Sequence, residues 1–316
     1  MISFGPVPSR RLGKSLGINN IISPKVCSYG CIYCQVGQTI NKSIERLTFF
    51  QPENIYESVR QHLSLLSDDN FPDYLTIVSN GEPSLDINIG KSISLLKKTG
   101  IPVAVITNAS LLMYESVRQD FLQADWVSLK MDAGKNETWQ LINRPAENLD
   151  FDTHLQNIFL FSGEYNGKLQ TETMLVDGVN DSDEELMILA ELIEKLDPET
   201  AYLSVPIRPP AERWVKPPDT GKLNKAWQIY AGMNIRTEFL TGFEGSDTGF
   251  TGNIYEDILN ITAVHPLRED SLQTLLERDK ADYTVVESLI KQKLIRSLQY
   301  KGHRFYLREY HISGIK

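Results

Sequence analysis

The sequence predicts an α/β protein: a partial or complete parallel (β/α) barrel followed by a small module of helices and a hairpin. Three observations carry this. Short β-branched runs alternate with amphipathic helical stretches from residue 52 to about residue 240, no G-x-G-x-x-G turn opens the first helix as a dinucleotide-binding sheet would need, and the alternation stops near residue 252. The domains expected are residues 1–251 and 252–316.

The opening segment from Phe4 to Gly17 is rich in Gly and Pro and reads as a solvated, irregular arm capping one barrel end. Its cations Arg10, Arg11 and Lys14 are candidates for a substrate anion, Arg through paired hydrogen bonds and Lys as a point charge. Residues 18–22 read as a short strand. After Pro52, the residues Ile55, Val59, Leu63 and Leu66 fall on one stripe of a helical period. Strands are then expected at 74–79, 103–107, 126–130, 171–176, 202–207 and 235–240, with helices at 87–98, 114–123, 152–161, 183–196 and 223–231. Seven strands in alternation with helices imply parallel pairing through right-handed crossovers.

All three cysteines of the chain lie in one stretch, Cys27-Ser28-Tyr29-Gly30-Cys31-Ile32-Tyr33-Cys34. Thiolates spaced so closely select iron-sulfur clusters, zinc or copper(I). A 4Fe-4S cluster normally takes four cysteines, so three would leave one iron open to another ligand. Structural zinc sites usually join two C-x-x-C units, or one with two histidines; the spacing here favours a cluster, with three cysteines and a histidine on zinc as the alternative.

Barrels place their chemistry at the C-terminal strand ends. There the sequence has Asn80-Gly81-Glu82-Pro83, a turn whose carboxylate and backbone acceptors suit an ammonium group. It also has Thr107-Asn108, which cap helices or bind ligands, and Ser128 with Lys130 on one strand face. An ammonium inside a barrel needs a counter-charge: a ligand carboxylate, or an ion pair with Asp132 or Glu82. Asp177 to Asp181 read as a turn and helix cap, Arg208 as a mouth cation for a substrate anion or an ion pair, and Thr241 to Gly245 as a loop over the cavity.

The spacing C-x-x-x-C-x-x-C, with Tyr33 before the last cysteine, resembles the cluster loop of the radical S-adenosylmethionine (radical SAM) superfamily. Gly81-Glu82-Pro83 matches that family's Gly-Gly-Glu-Pro turn, with Asn80 replacing the first glycine. The resemblance covers residues 1–245 and implies that Cys27, Cys31 and Cys34 bind three irons of a 4Fe-4S cluster whose fourth iron chelates SAM. It also implies reductive cleavage of SAM to methionine and a 5′-deoxyadenosyl radical. In this likeness Asn80, Gly81 and Glu82 hold the SAM amino group, Lys130 its carboxylate, Thr107, Asn108 and Ser128 its ribose or carboxylate, and Tyr33 lies near the adenine. Within the superfamily, Gly5-Pro6-Val7-Pro8-Ser9-Arg10-Arg11-Leu12-Gly13 and Ile142-Asn143-Arg144-Pro145 resemble a group labelled as similar to wyosine-forming tRNA synthases. Those synthases carry a second cluster on additional cysteines, which this chain lacks, so the imidazoline ring chemistry is not carried over. Without a flavodoxin-like domain, the resemblance implies an external flavodoxin- or ferredoxin-like electron donor.

Beyond residue 252, helices at 270–278 and 282–293 precede alternating runs at 296–300 and 304–308 around Lys301-Gly302, an order that suggests a winged-helix module. From Ser271 onward nine Lys or Arg stand against five Asp or Glu, which makes Lys291, Lys293, Arg296 and the Lys301 to Arg308 hairpin a candidate nucleic-acid surface. Packing or peptide recognition are the other uses of such a module. A net charge of -9 argues against a general nucleic-acid or anionic-membrane binder. No secretory leader or long apolar run is seen, and a cytosolic protein with reduced thiols is expected. The leading function is radical SAM chemistry on an RNA nucleotide, such as one in tRNA. The alternatives are modification of a peptide or protein, and a metal-dependent nucleic-acid sensor without SAM chemistry.

Overall fold

The computed structural model describes residues 2–21, 24–246 and 248–309. Eight strands form one sheet in chain order: Ser3–Ser9, Gly13–Ile18, Tyr74–Ile77, Val103–Thr107, Trp126–Lys130, Lys168–Met174, Thr200–Ser204 and Thr237–Leu240. The first two are antiparallel, and every later neighbour is parallel. The edge strands Ser3–Ser9 and Thr237–Leu240 share no ladder, so the sheet is a partial barrel. Near that gap the Gly249 N–H donates to the Pro6 carbonyl at 2.6 Å.

The helices follow from their sequences. In Asp183–Leu196 the Ser182 side chain accepts from the Glu185 N–H, three acidic residues fill the first turn, and Leu186, Leu189, Ala190, Ile193 and Leu196 are buried. Pro52–Leu65, Ile89–Leu96, Glu115–Phe121, Phe151–Glu164 and Thr220–Gly232 are the other crossover helices, with Asn136–Ile142 as a further helix that the periodicity does not predict. Their apolar stripes meet the outward strand residues Leu75, Ile77, Val103, Val105, Val127 and Leu129 in the main core. On the inner face Leu12, Ala104, Trp126, Tyr202 and Leu240 form a separate plug.

The expected irregular arm is instead a β-hairpin, Ser3–Ser9 with Gly13–Ile18, and the strand expected at 18–22 ends at Ile18; Ile22 lies outside the described residues. Pro6 and Pro8 obscured the first strand. An edge strand tolerates them because one side of its backbone needs no ladder partner, and the register shifts between Phe4 and Val7.

After the barrel come helices Ile254–Val264, Glu269–Arg278 and Thr284–Lys291 and a three-stranded sheet of Leu267–Arg268, Ile295–Tyr300 and His303–Arg308, with His303–Arg308 in the middle. Its core of Ile258, Ile261, Leu272, Leu275, Val286, Leu289 and Tyr306 also includes Phe4 of the first barrel strand. Phe4 packs over Gly17, where an added Cβ would stand 2.1 Å from the ring.

Candidate active site

The cysteine loop is held by anchors that alternate with its thiols. Val26–Cys27 pairs with Asn41–Lys42. The Gly30 N–H donates to the Asn143 carbonyl at 2.9 Å, the Ile32 N–H to Ile142 at 3.0 Å, and the Ala146 N–H to Ser28 at 2.8 Å. Ile142-Asn143-Arg144-Pro145 is thus the wall on which the loop is moulded. Tyr29 and Ile32 are buried, and the Trp139 indole N–H donates to the Tyr29 hydroxyl at 3.0 Å.

Each thiol sulfur has its own N–H donor. Asn108 Nδ2 lies 3.7 Å from Cys27 Sγ, Asn143 Nδ2 3.5 Å from Cys31 Sγ, and Lys25 Nζ 3.1 Å from Cys34 Sγ. Burial pushes the Cys27 thiol up to about 12 and the Cys31 thiol up to about 11, so neither is a free nucleophile at neutral pH. A bound cation would be needed to hold them as thiolates. Among the described residues no three His, Cys, Asp or Glu side chains converge on a single ion position.

A cavity of about 290 Å³ is bordered by Tyr33, Cys34, Lys130, Arg10, Arg11 and Arg208, so six of the expected site residues meet there. Lys130 Nζ donates to Glu172 Oε1 at 2.7 Å and lies 5.2 Å from the Tyr33 ring centroid. Arg11 pairs with the other Glu172 oxygen and reaches between the rings of Trp126 and Tyr202, while Ser204 Oγ donates to Glu172 at 2.9 Å. Burial alone would raise the Glu172 pKa, but Lys130 and Arg11 hold it well below the usual carboxylate range. The Lys130 partner is therefore Glu172, rather than Asp132 or Glu82. Asp132 is occupied otherwise, accepting from the Tyr33 hydroxyl, from Asn143 Nδ2 at 2.8 Å and from the Met174 N–H at 2.8 Å.

Glu82 is buried and faces the protein. Its carboxylate accepts from Ser84 Oγ at 2.6 Å, Thr107 Oγ1 at 2.6 Å and the Ser84 and Asn108 N–H groups at 3.1 and 2.8 Å. Burial raises its pKa against these bonds. Its role in the structure is to tie the 80–83 turn to the end of Val103–Thr107, which puts Asn108 beside Cys27. Asn80, Gly81, Glu82, Thr107, Asn108 and Ser128 do not border the cavity, though Gly81 lies against Val26 and Asn108 against Cys27. Lys14 lies elsewhere: Ser15 takes the inward position, bonded to Thr76 at 2.6 Å, and the Lys14 ammonium turns out to the Asp69 carbonyl.

The mouth is closed by a second network. Arg208 pairs with Glu244, donates to Gln35 Oε1 at 3.1 Å and meets His265 Nε2 at 2.9 Å; Gln35 Nε2 in turn donates to the Val264 carbonyl at 3.1 Å. A guanidinium only donates, so His265 Nε2 accepts and the ring is neutral. Burial first, and then Arg208, push His265 down to about 3, against Glu244. A folded-state pKa below the ordinary 6.5 means that the unfolded chain binds the extra proton. Stability is therefore expected to fall as pH drops from about 6.5 toward 3, and His265→Gln should flatten that part of a urea-unfolding series. Parallel pH profiles for the two proteins would refute the assignment.

Glu172, Glu244, His265, Gln35 and Asn143 were not singled out from the sequence as site residues. Glu172 had one signal, a carboxylate at an inward position of a strand.

Residues 21–190, more than half of the chain, match the radical SAM superfamily profile, and the chain belongs to that superfamily. Its sequence is 43% identical over 310 residues to UPF0026 protein MJ1312 of Methanocaldococcus jannaschii, covering 97% of this chain and 96% of that protein. It is 29% identical over 308 residues to a UPF0026 protein of Helicobacter pylori strain J99, covering 96% of this chain and 97% of the relative. Among solved structures, Streptococcus suis SuiB is similar with a TM-score of 0.53 at 12% identity, a likeness of fold that covers 72% of this chain and 49% of SuiB. The superfamily implies SAM and an iron-sulfur cluster, and its members are generally enzymes. No helix among the described residues is long and apolar enough to cross a membrane.

Proposed function

We propose that the protein is a radical SAM enzyme that holds a 4Fe-4S cluster on Cys27, Cys31 and Cys34 and abstracts hydrogen from a substrate in the adjoining cavity. The observation that carries this is the set of three thiols, each with its own N–H donor, with Cys34 on the wall of that cavity. The cluster would supply an open iron for SAM and the electron whose delivery cleaves SAM to a 5′-deoxyadenosyl radical. The chain's own residues position and exclude. Lys130, held by Glu172 beside Tyr33, offers its charge to the SAM carboxylate; Asn80, Gly81, Glu82, Thr107, Asn108 and Ser128 shape the strand ends behind the cluster. The Arg208–Glu244–His265 network shields the mouth from water and stray reductants. Electrons come from an external flavodoxin- or ferredoxin-like donor. SuiB, of similar fold, has been solved with S-adenosylmethionine bound.

The substrate class we favour is an RNA nucleotide. Residues 254–309 have the helix, strand, helix, helix, hairpin order of a winged helix, and Lys291, Lys293, Arg296, Lys301 and Arg304 are exposed on it. A peptide is the second reading, because SuiB has also been solved with its precursor peptide SuiA.

The first experiment is anaerobic reconstitution with iron and sulfide, then SAM and dithionite, with 5′-deoxyadenosine measured for wild type and Cys34→Ala. Product from the wild type alone is expected. Absence of both a four-iron spectrum and SAM cleavage in the wild type would sink the reading. RNA affinity should fall, with a shallower salt slope, in the full chain carrying Lys291→Met, Lys293→Met and Arg296→Met. Unchanged RNA affinity with tight peptide binding would favour the second reading.

A further inference from the structure

Beside the cysteine-lined cavity lies another of about 310 Å³, between the barrel mouth and the C-terminal module. The two share Pro8, Ile207, Arg208, Glu244 and His265 in their walls. The second is also bordered by Phe243, Thr248, Arg268, Lys301, His303 and Phe305.

Its charges do not cancel. Glu244 is the one carboxylate among the described lining residues, and it serves both Arg208 and, outside the lining, Arg10 at 3.8 Å. Arg268 is matched by Asp270 and lies 3.4 Å from the Phe243 ring centroid. Lys301 has no carboxylate partner among the described residues. With those pairs counted, one positive charge, that of Lys301, is left over among the described lining residues, in a chain whose net charge is -9. Lys301 is exposed at the rim of the cavity, and an unmatched cation there, beside guanidinium groups already paired, fits an anion. One donor of the lining also awaits an acceptor: Thr248 Oγ1, in a residue 4% exposed, is buried without a hydrogen-bond partner.

We propose that this cavity binds a phosphoryl group, with Arg208, Lys301 and the Thr248 hydroxyl as its donors. A phosphoryl group offers three oxygens, one for each of three donors, whereas a carboxylate offers two. Its oxygens accept from a guanidinium, an ammonium and a hydroxyl together. Phe243 and Phe305 supply apolar wall for whatever carries the group. The inference deepens the RNA reading and rests on it only for the neighbouring cavity, where the nucleoside of the same substrate would face Cys34.

The test is calorimetric titration of the full chain, without cluster reconstitution, using adenosine 5′-monophosphate, a six-nucleotide single-stranded RNA, and adenosine as the control. At least one phosphate-bearing probe is expected to bind about tenfold or more tighter than adenosine. Lys301→Met and Thr248→Val should each weaken it about tenfold, Lys301→Arg should restore it, and Lys195→Met, on the exposed side of helix Asp183–Leu196, should leave it unchanged. Binding of the mononucleotide alone assigns the site to a small phosphorylated ligand, and binding of the RNA assigns it to a backbone phosphate. Equal affinity for the phosphate-bearing probes and adenosine overturns the proposal, as does phosphate binding indifferent to both Lys301→Met and Thr248→Val. Because the assay needs no cluster, loss of SAM cleavage with retained phosphate binding would count against the radical reading alone.

Discussion

Gly81→Val is expected to displace the cysteine loop and to destabilise the protein by about 3 kcal/mol or more. A Cβ at Gly81 would stand 1.7 Å from the Val26 carbonyl oxygen and 2.8 Å from the Val26 carbonyl carbon. That carbonyl cannot easily retreat. It accepts the Glu82 N–H at 3.2 Å, and Val26 belongs to the short strand that delivers Cys27. The glycine of the Gly-Glu-Pro turn is thus required first by the close approach of two backbones. Thermal unfolding, together with iron and sulfide content after anaerobic reconstitution, would check this: both should fall in the variant. A variant with wild-type melting and cluster content would refute the packing account.

Lys25→Met is expected to make the cluster harder to reduce. The Lys25 ammonium lies 3.1 Å from Cys34 Sγ and 2.8 Å from the Gly37 carbonyl, and residue 25 is 9% exposed. Reduction adds negative charge to the cluster, so a fixed cation at one sulfur favours the reduced form. Its removal should shift the midpoint potential to more negative values by on the order of 50 mV, given partial screening. Methionine keeps the apolar stem, and Lys25→Arg should keep most of the effect. A redox titration followed by electron paramagnetic resonance reads the shift directly. An unchanged potential in Lys25→Met, with a full complement of iron, would show that the contact only shapes the loop.

The parts of this fold that sequence reasoning reached are those specified locally. Helix Asp183–Leu196 carries its own cap, its own acidic first turn and an unbroken apolar stripe, and it was expected at 183–196. The thiol loop was equally plain, because its spacing is a local property. The first strand was missed because its prolines break the usual strand signal, and their tolerance depends on an edge position that only the assembled sheet defines. Ile254–Val264 was missed although Ile258 and Ile261 are buried and Asn253 caps it, because its β-branched residues do not favour a helix by propensity alone. The site's charge pairs were the least legible. Glu172 meets Lys130 across 42 residues and Arg11 across 161, so its partners follow from strand order alone. Lys130 could be recognised as needing a counter-charge, but the sequence offered no way to choose among distant carboxylates.

The seating of Phe4 in the core of the last module bears on how the chain is made. Phe4 leaves the ribosome long before the residues that share its core, Ile258, Leu272 and Tyr306 among them. The same is true of the loop after Cys34, whose Gln35 bonds Val264 across 229 residues. A nascent chain with the parallel strands already in place therefore still lacks the contacts between its first strand and the module that follows the barrel. Contacts of such long sequence separation form late, after the entropy of closing the intervening loop has been met. Completion of the mouth thereby waits on translation of residues 254–309: a chain interrupted before residue 254 would retain all three thiols but lack His265 in the cavity wall and the module core that includes Phe4.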